Sequence, residues 1–176
     1  MGFRRVLLAF SLCFFANDLR ANNAPTSTAP SLTPSGTTTT VEDLTAAAQG
    51  LDDLDGDTVT AIYDWQVNGS SIATLNMPFD SNNTSLAKDY STSQNDGTVV
   101  NSPSWVASGH SGGAYHFNGT SDQYITIPDP SNAIMAATYS VSFWMKHSGP
   151  NSFTNHRTIL SKKGANEFTL WMCGNA

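Results

Sequence analysis

An all-β fold is predicted by three features of this sequence. Apolar and polar residues alternate in short runs: Val59, Ala61, Tyr63, Trp65 and Val67 fall on one side, with Thr58, Thr60, Asp64 and Gln66 mostly on the other. A period of two is that of a strand with one face apolar. Such runs recur at short intervals, with Gly, Asn and Asp between them. Helical periodicity is absent over any long window; only the short residues 131–137 are compatible with a helical turn.

Composition agrees. Charged residues are 12% of the 176 and hydrophobic residues 39%, and that charged fraction is about half the usual one. Ser, Thr, Asn and Gly fill the difference, as in extracellular β proteins with polar turns. The formal net charge is −6. An acidic chain without clustered Lys and Arg has no electrostatic route to nucleic acid. Acidic turns are better suited to calcium.

Residues 1–21 read as a signal peptide. Arg4 and Arg5 form a positive start, and the apolar run of residues 6–16, broken only by Ser11, is too short to span a bilayer. Leu12 before Cys13 argues against a lipoprotein signal, and ordinary secretion is favoured over twin-arginine export. Cleavage would remove Cys13 and leave Cys173 alone. One cysteine builds neither a disulfide framework nor a zinc site. Its partner lies further along the chain, or it is buried; the alternation of Phe168-Thr169-Leu170-Trp171-Met172 favours burial. Nothing in the visible part reaches transmembrane length.

Residues 22–42 hold Pro25, Pro30, Pro34 and many Thr and Ser. They read as a linker running into a first edge strand. Residues 43–49 suit a short strand or turn. Asp52-Asp53-Leu54-Asp55-Gly56-Asp57 is a tight acidic turn in which Asp bonds its own backbone. Gly56 is misplaced for an EF-hand loop; a bare turn is preferred to one holding calcium. The alternating run then meets Asn68-Gly69, a two-residue hairpin signal.

Tyr63, Trp65 and Asn68-Gly69 resemble the spacing in immunoglobulin-like, PKD-like modules, which implies that Trp65 packs in a sandwich core. Residues 43–74 are accordingly expected to be part of an Ig-like β-sandwich. A second resemblance is carried by six blocks: Leu75-Asn76-Met77-Pro78-Phe79-Asp80, Asp89-Tyr90-Ser91, Asn95-Asp96-Gly97-Thr98-Val99, Gly112-Gly113-Ala114-Tyr115-His116-Phe117-Asn118-Gly119, Asp122-Gln123-Tyr124-Ile125-Thr126-Ile127-Pro128 and Val141-Ser142-Phe143-Trp144-Met145-Lys146. In this order they resemble the laminin-G-like, concanavalin-A-like jelly-roll family of exported prokaryotic surface proteins. The block after Asp89-Tyr90-Ser91 departs from the family, with Thr92-Ser93-Gln94 where a Gly-Asn pair is usual. The resemblance implies an antiparallel jelly-roll β-sandwich over residues 75–176, incomplete at its C-terminus and able to pair with the remainder of its own chain. It also raises the prospect that the jelly roll is inserted in the Ig-like module. An incomplete sandwich leaves an unpaired edge, so low stability is expected. The family further implies recognition of glycans or surface proteins, and in many members calcium at a loop end. Asp89, Asn118 and Asp122 occupy the matching turns and are the candidate calcium ligands; the competing reading is that they cap turns.

Catalytic signals are poor. Gly109-His110-Ser111-Gly112-Gly113 fits the nucleophile-elbow pattern, but a strand pattern follows where an elbow needs a helix. Asp122, Asp129, His147 and His156 come in triad order, which is weak support. The glutamates are Glu42 and Glu167, and no pair of inward acids suits glycoside hydrolysis. His110, His116, His147 and His156 lack metal-ligand spacing. The leading expectation is a non-catalytic, secreted or surface-attached recognition module for carbohydrate or a surface partner. The alternatives are a structural spacer or adhesin stalk, and the accessory module of an enzyme.

Overall fold

The computed structural model describes residues 22–36, 43–130, 134, 138–149, 157–163 and 168–173. The leader at residues 1–21, Glu42, His156 and Glu167 lie outside the described residues. All regular elements among those described are strands, and all pairings are antiparallel. The strands form five small sheets. No helix among them is long and apolar enough to cross a membrane. The chain divides into two compact units, Met1–Val59 and Thr60–Ala176.

The first unit is built on a hairpin of β1 (Thr26–Pro34) and β2 (Leu44–Asp52). Residues 26–34 of the expected linker are thus a strand. Thr favours extended backbone, and a ladder needs only main-chain groups, so β1 pairs with β2 although nearly all of its residues are exposed. The register slips between Thr28 and Ser31, across Pro30, which has no N–H to give. Beyond β2 the acidic turn closes on itself: Asp53 Oδ1 accepts the backbone N–H of Asp55 (2.9 Å) and of Asp57 (3.2 Å), and Gly56 N donates to Asp53 O. Asn23 N donates to Asp55 Oδ2 at 2.6 Å, tying the turn to the start of the hairpin.

The second unit begins inside the alternating run, at Thr60. Only Gln66–Val67 (β3) of that run is laddered, to Ser70–Ser71 (β4). Asn68 and Gly69 have φ of 51° and 80°, the two positive values a type I′ turn needs. Residues 58–65 join no ladder among the described residues, and one further bond, Ile72 N to Trp65 O, continues the hairpin.

Strands β5 (Leu86–Ala87), β6 (Gly97–Val100) and β9 (Tyr124–Thr126) make a sheet in the order β5-β6-β9. Here lie the buried side chains of Ala87 and Val99. Gly97 is buried at this junction, where an added Cβ would sit 2.7 Å from Ile125 Cγ2. Strands β7 (Ser104–Val106) and β8 (Ala114–His116) pair beside it in sequence. Trp105 Nε1 donates to Phe79 O at 2.8 Å, and the Phe79 ring meets Tyr115 edge-on at 5.5 Å. The Tyr115 hydroxyl donates to Asn83 O.

A last hairpin joins β10 (Arg157–Lys162) to β11 (Phe168–Met172). Lys162 Nζ bonds Asp129 Oδ2 at 2.6 Å, with both side chains largely buried. Two expectations fail in this half. Residues 139–146 alternate but have no ladder partner among the described residues, and Tyr139, Val141, Phe143 and Met145 stay exposed. Alternation makes a strand only where an edge accepts it. Cys173, expected to be buried, is exposed. It follows the last residue of β11, so the strand's half-buried positions end at Met172.

Candidate functional site

The most built part of the second unit surrounds Asp89, which is 1% exposed. Its Oδ1 accepts the backbone N–H of Asn76 (3.0 Å) and of Ser91 (2.9 Å). Its Oδ2 accepts the Ser91 hydroxyl (2.8 Å) and the N–H of Asn95 (2.8 Å). A carboxylate offers about four lone-pair positions, and all are filled. Burial alone raises this carboxyl, but the N–H groups of Asn76, Ser91 and Asn95 and the Ser91 hydroxyl together hold it below its ordinary value. Asp96 is lowered chiefly by the N–H of Asp89, which donates to its Oδ1 at 2.9 Å, and further by Lys88 at 3.1 Å.

Asn118 and Asp122 stand elsewhere. Asn118 Oδ1 accepts the N–H of Thr120, its Nδ2 donates to Ser121 Oγ, and its own N–H donates to Gln123 Oε1. The Asp122 carbonyl accepts from Asn101 Nδ2, and Gln123 Nε2 donates to the carbonyls of Asn101 and Ser102. Asp89 therefore lies beside Asp96, before the first residue of β6, and Asp122 beside Asn101, after its last. An extended strand rising ~3.3 Å per residue puts these points on the order of 10 Å apart. Two ligands of one calcium ion lie within about 5 Å of each other. Asp89 thus spends its lone pairs within its own chain, while Asn118 and Asp122 organise the loop that meets Asn101 and Ser102. Among the described residues, no three His, Cys, Asp or Glu side chains are grouped to hold a metal ion.

The Gly109–Gly113 segment is a tight turn, in which Gly109 N donates to Gly112 O at 2.7 Å. Gly112 has φ of 76°, and a Cβ there would overlap the Asp80 carboxylate, whose Oδ1 accepts Gly113 N at 2.7 Å. Strand β8 follows directly. The geometry serves chain reversal and supplies no helix behind Ser111. The His110 ring is stacked on Trp144 with centroids 3.6 Å apart.

A groove of about 380 Å³ opens between the residues before β3 and those after β4, lined by Tyr63, Asp64, Trp65, Ile72, Ala73 and Asn76. The resemblance to Ig-like modules put Trp65 in a core. Instead Tyr63 and Trp65 are each 43% exposed, because their face of the run has no covering sheet among the described residues. Between them sits Asp64. Its Oδ2 accepts Ser71 Oγ at 2.6 Å and Gln66 Nε2 at 2.8 Å. Its Oδ1 is buried and accepts no hydrogen bond. A desolvated acceptor without a donor costs about 1–3 kcal/mol, so it is kept only where something compensates. Asn76 Nδ2 donates to Tyr63 O at 2.9 Å, which leaves the amide oxygen as the acceptor on the groove residue.

Sequence reasoning treated these positions as packing. The signal that would have found them is the polar Asp64 lying between two aromatics in a run with too few neighbours to bury it. No family model, no curated protein and no solved structure matches the chain.

Proposed function

We propose that this protein is a non-catalytic extracellular recognition module that binds carbohydrate, and that the groove of Tyr63, Asp64, Trp65 and Asn76 holds the sugar. One observation carries the reading: a buried, donorless carboxylate oxygen flanked by two half-exposed aromatic side chains. A pyranose has an apolar C–H face that packs on an aromatic ring, and a rim of hydroxyl groups that donate hydrogen bonds. Ligand sites of this kind combine apolar walls with a few placed polar atoms. Asp64 Oδ1 and the Asn76 amide oxygen supply acceptors, and Tyr63, Trp65 and Ile72 supply wall.

The leader at residues 1–21 supports export, and the six ordered blocks over residues 75–164 support a jelly-roll sandwich as the setting for the small antiparallel sheets. A second reading, a surface protein partner, is favoured by the exposed apolar side chains of Tyr139, Val141, Phe143 and Met145.

A glycan array probed with the full chain, followed by calorimetric titration of the best binder, tests the carbohydrate reading. The expected result is binding that Trp65→Ala removes while the thermal melt is kept. An array without a binder, or undiminished affinity in Trp65→Ala, defeats it.

A further inference from the structure

We infer that the groove selects a glycan bearing a protonated amine over neutral and acidic glycans, a conclusion that rests on the carbohydrate reading and adds the charge of the ligand. The unpaired atom at the site is a carboxylate oxygen, Asp64 Oδ1. A carboxylate oxygen only accepts, so the ligand must present a donor there. A hydroxyl would satisfy it. An ammonium satisfies it and also neutralises it, and such charge-assisted bonds are roughly twice as strong as neutral ones.

Three further features point the same way. The walls beside Asp64 are Tyr63 and Trp65, whose ring faces carry negative potential and attract cations. The second polar group, Asn76, gives one of its two amide N–H bonds to Tyr63 O and keeps its amide oxygen as a further acceptor for the ligand. No Lys or Arg lines the groove, and the chain as a whole is acidic at −6, which repels uronic and other acidic sugars.

The test is calorimetric titration of the full chain with three oligosaccharides of equal length: glucosamine, N-acetylglucosamine and galacturonic acid. The glucosamine oligomer is expected to bind about tenfold more tightly than its N-acetylated counterpart, the equivalent of one charge-assisted bond. That advantage is expected to shrink as salt rises, while binding of the neutral oligomer stays constant. The acidic oligomer is expected not to bind. Asp64→Asn, which keeps an acceptor for Ser71 and replaces the charge by an amide, is expected to weaken both oligomers and to remove the advantage of glucosamine over N-acetylglucosamine. Should that variant not fold, the salt dependence of the unaltered protein decides alone. Equal affinity for the amine and acetylated oligomers, or preference for the acidic one, overturns the charge selection and leaves the carbohydrate reading standing. Failure of all three to bind overturns both.

Discussion

Asp89 and Asp64 are two aspartates of the same unit with opposite bonding. Asp89 is almost fully buried and receives four donors on two oxygens. Asp64 receives two donors on one oxygen and none on the other, which is also buried. The first carboxylate has nothing left to offer a ligand. The second is unfinished as a structural group. A saturated carboxylate organises its own chain, and a half-satisfied one is positioned for something else. The two are joined through Asn76, whose backbone N–H donates to Asp89 and whose side chain lines the groove beside Asp64. Ser71 and Thr92 add a second link: each backbone N–H donates to the other's hydroxyl oxygen, and Ser71 Oγ also donates to Asp64.

The sharpest way to break the comparison is to remove each carboxylate. Asp89→Ala strands three backbone N–H groups and a hydroxyl in a buried place. Buried donors left unpaired cost about 1–3 kcal/mol each before relaxation. A loss of about 3 kcal/mol or more is expected in urea unfolding, large against the total stability of a small domain. Asp64→Ala gives up two partly exposed bonds and relieves one orphan oxygen, so a change within about 1 kcal/mol is expected. Equal losses at the two positions would end the distinction between them.

Acid offers the same comparison without mutation. Asp89 and Asp96 have carboxyls below their ordinary value in the folded chain. A lowered folded value means the unfolded chain binds the proton more readily. Their stabilisation is therefore complete above the ordinary carboxylate range, near pH 4, and is lost as pH falls through the lowered values. A thermal melt followed from neutral pH down to about 3 should show that loss. Replacing Asp89 by Asn should flatten it, leaving the smaller contribution of Asp96.

How much of this was legible in the sequence differs along the chain. Antiparallel all-β structure was, because alternation and turn residues act locally. Asn68-Gly69 specified its turn through two positive φ values. The Asp53 turn was legible for the same reason, a side chain reaching its own backbone. Pairing was not. Residues 58–65 and 139–146 carry strand patterns as clear as any in the chain, yet join no ladder among the described residues, because a neighbour is a non-local fact that one run cannot state. The same cause hid the groove. Tyr63, Asp64 and Trp65 read as two core residues around an outward acid, and only the lack of a covering sheet turns them into a wall with an acceptor in it. Asp89 was singled out as a turn residue that either caps its turn or holds calcium, and a short run such as Asp89-Tyr90-Ser91 does not reveal the donors it receives from Asn76 and Asn95.

Aromatic truncation sharpens the groove side of the comparison with a smaller effect on stability. Trp65→Ala removes a side chain that is nearly half exposed. It should cost the fold no more than about 1 kcal/mol, while abolishing glycan binding in calorimetry. A comparable loss of fold would return Trp65 to the core and leave the groove without its wall.

The smallest expected effect concerns calcium. Asp89, Asn118 and Asp122 would have to share one ion for the family-type site to exist. Asp89 spends all its lone pairs on its own chain. Asn118 spends its amide on Thr120 and Ser121, and Asp122 lies with Asn101 past the far end of β6. An ion binding the folded chain alone raises stability by mass action, about 2.7 kcal/mol at a hundred times its dissociation constant. No such rise is expected here: millimolar calcium should leave the melting temperature unchanged, and Asp122→Ala should behave as the unaltered protein does with or without the ion. A calcium-dependent rise that Asp122→Ala removes would mean that the loop of residues 118–123 binds calcium without Asp89. A rise that Asp89→Asn removes would mean that the buried carboxylate gives up a backbone donor to hold the cation, and the contrast between a finished and an unfinished aspartate would no longer separate structure from recognition.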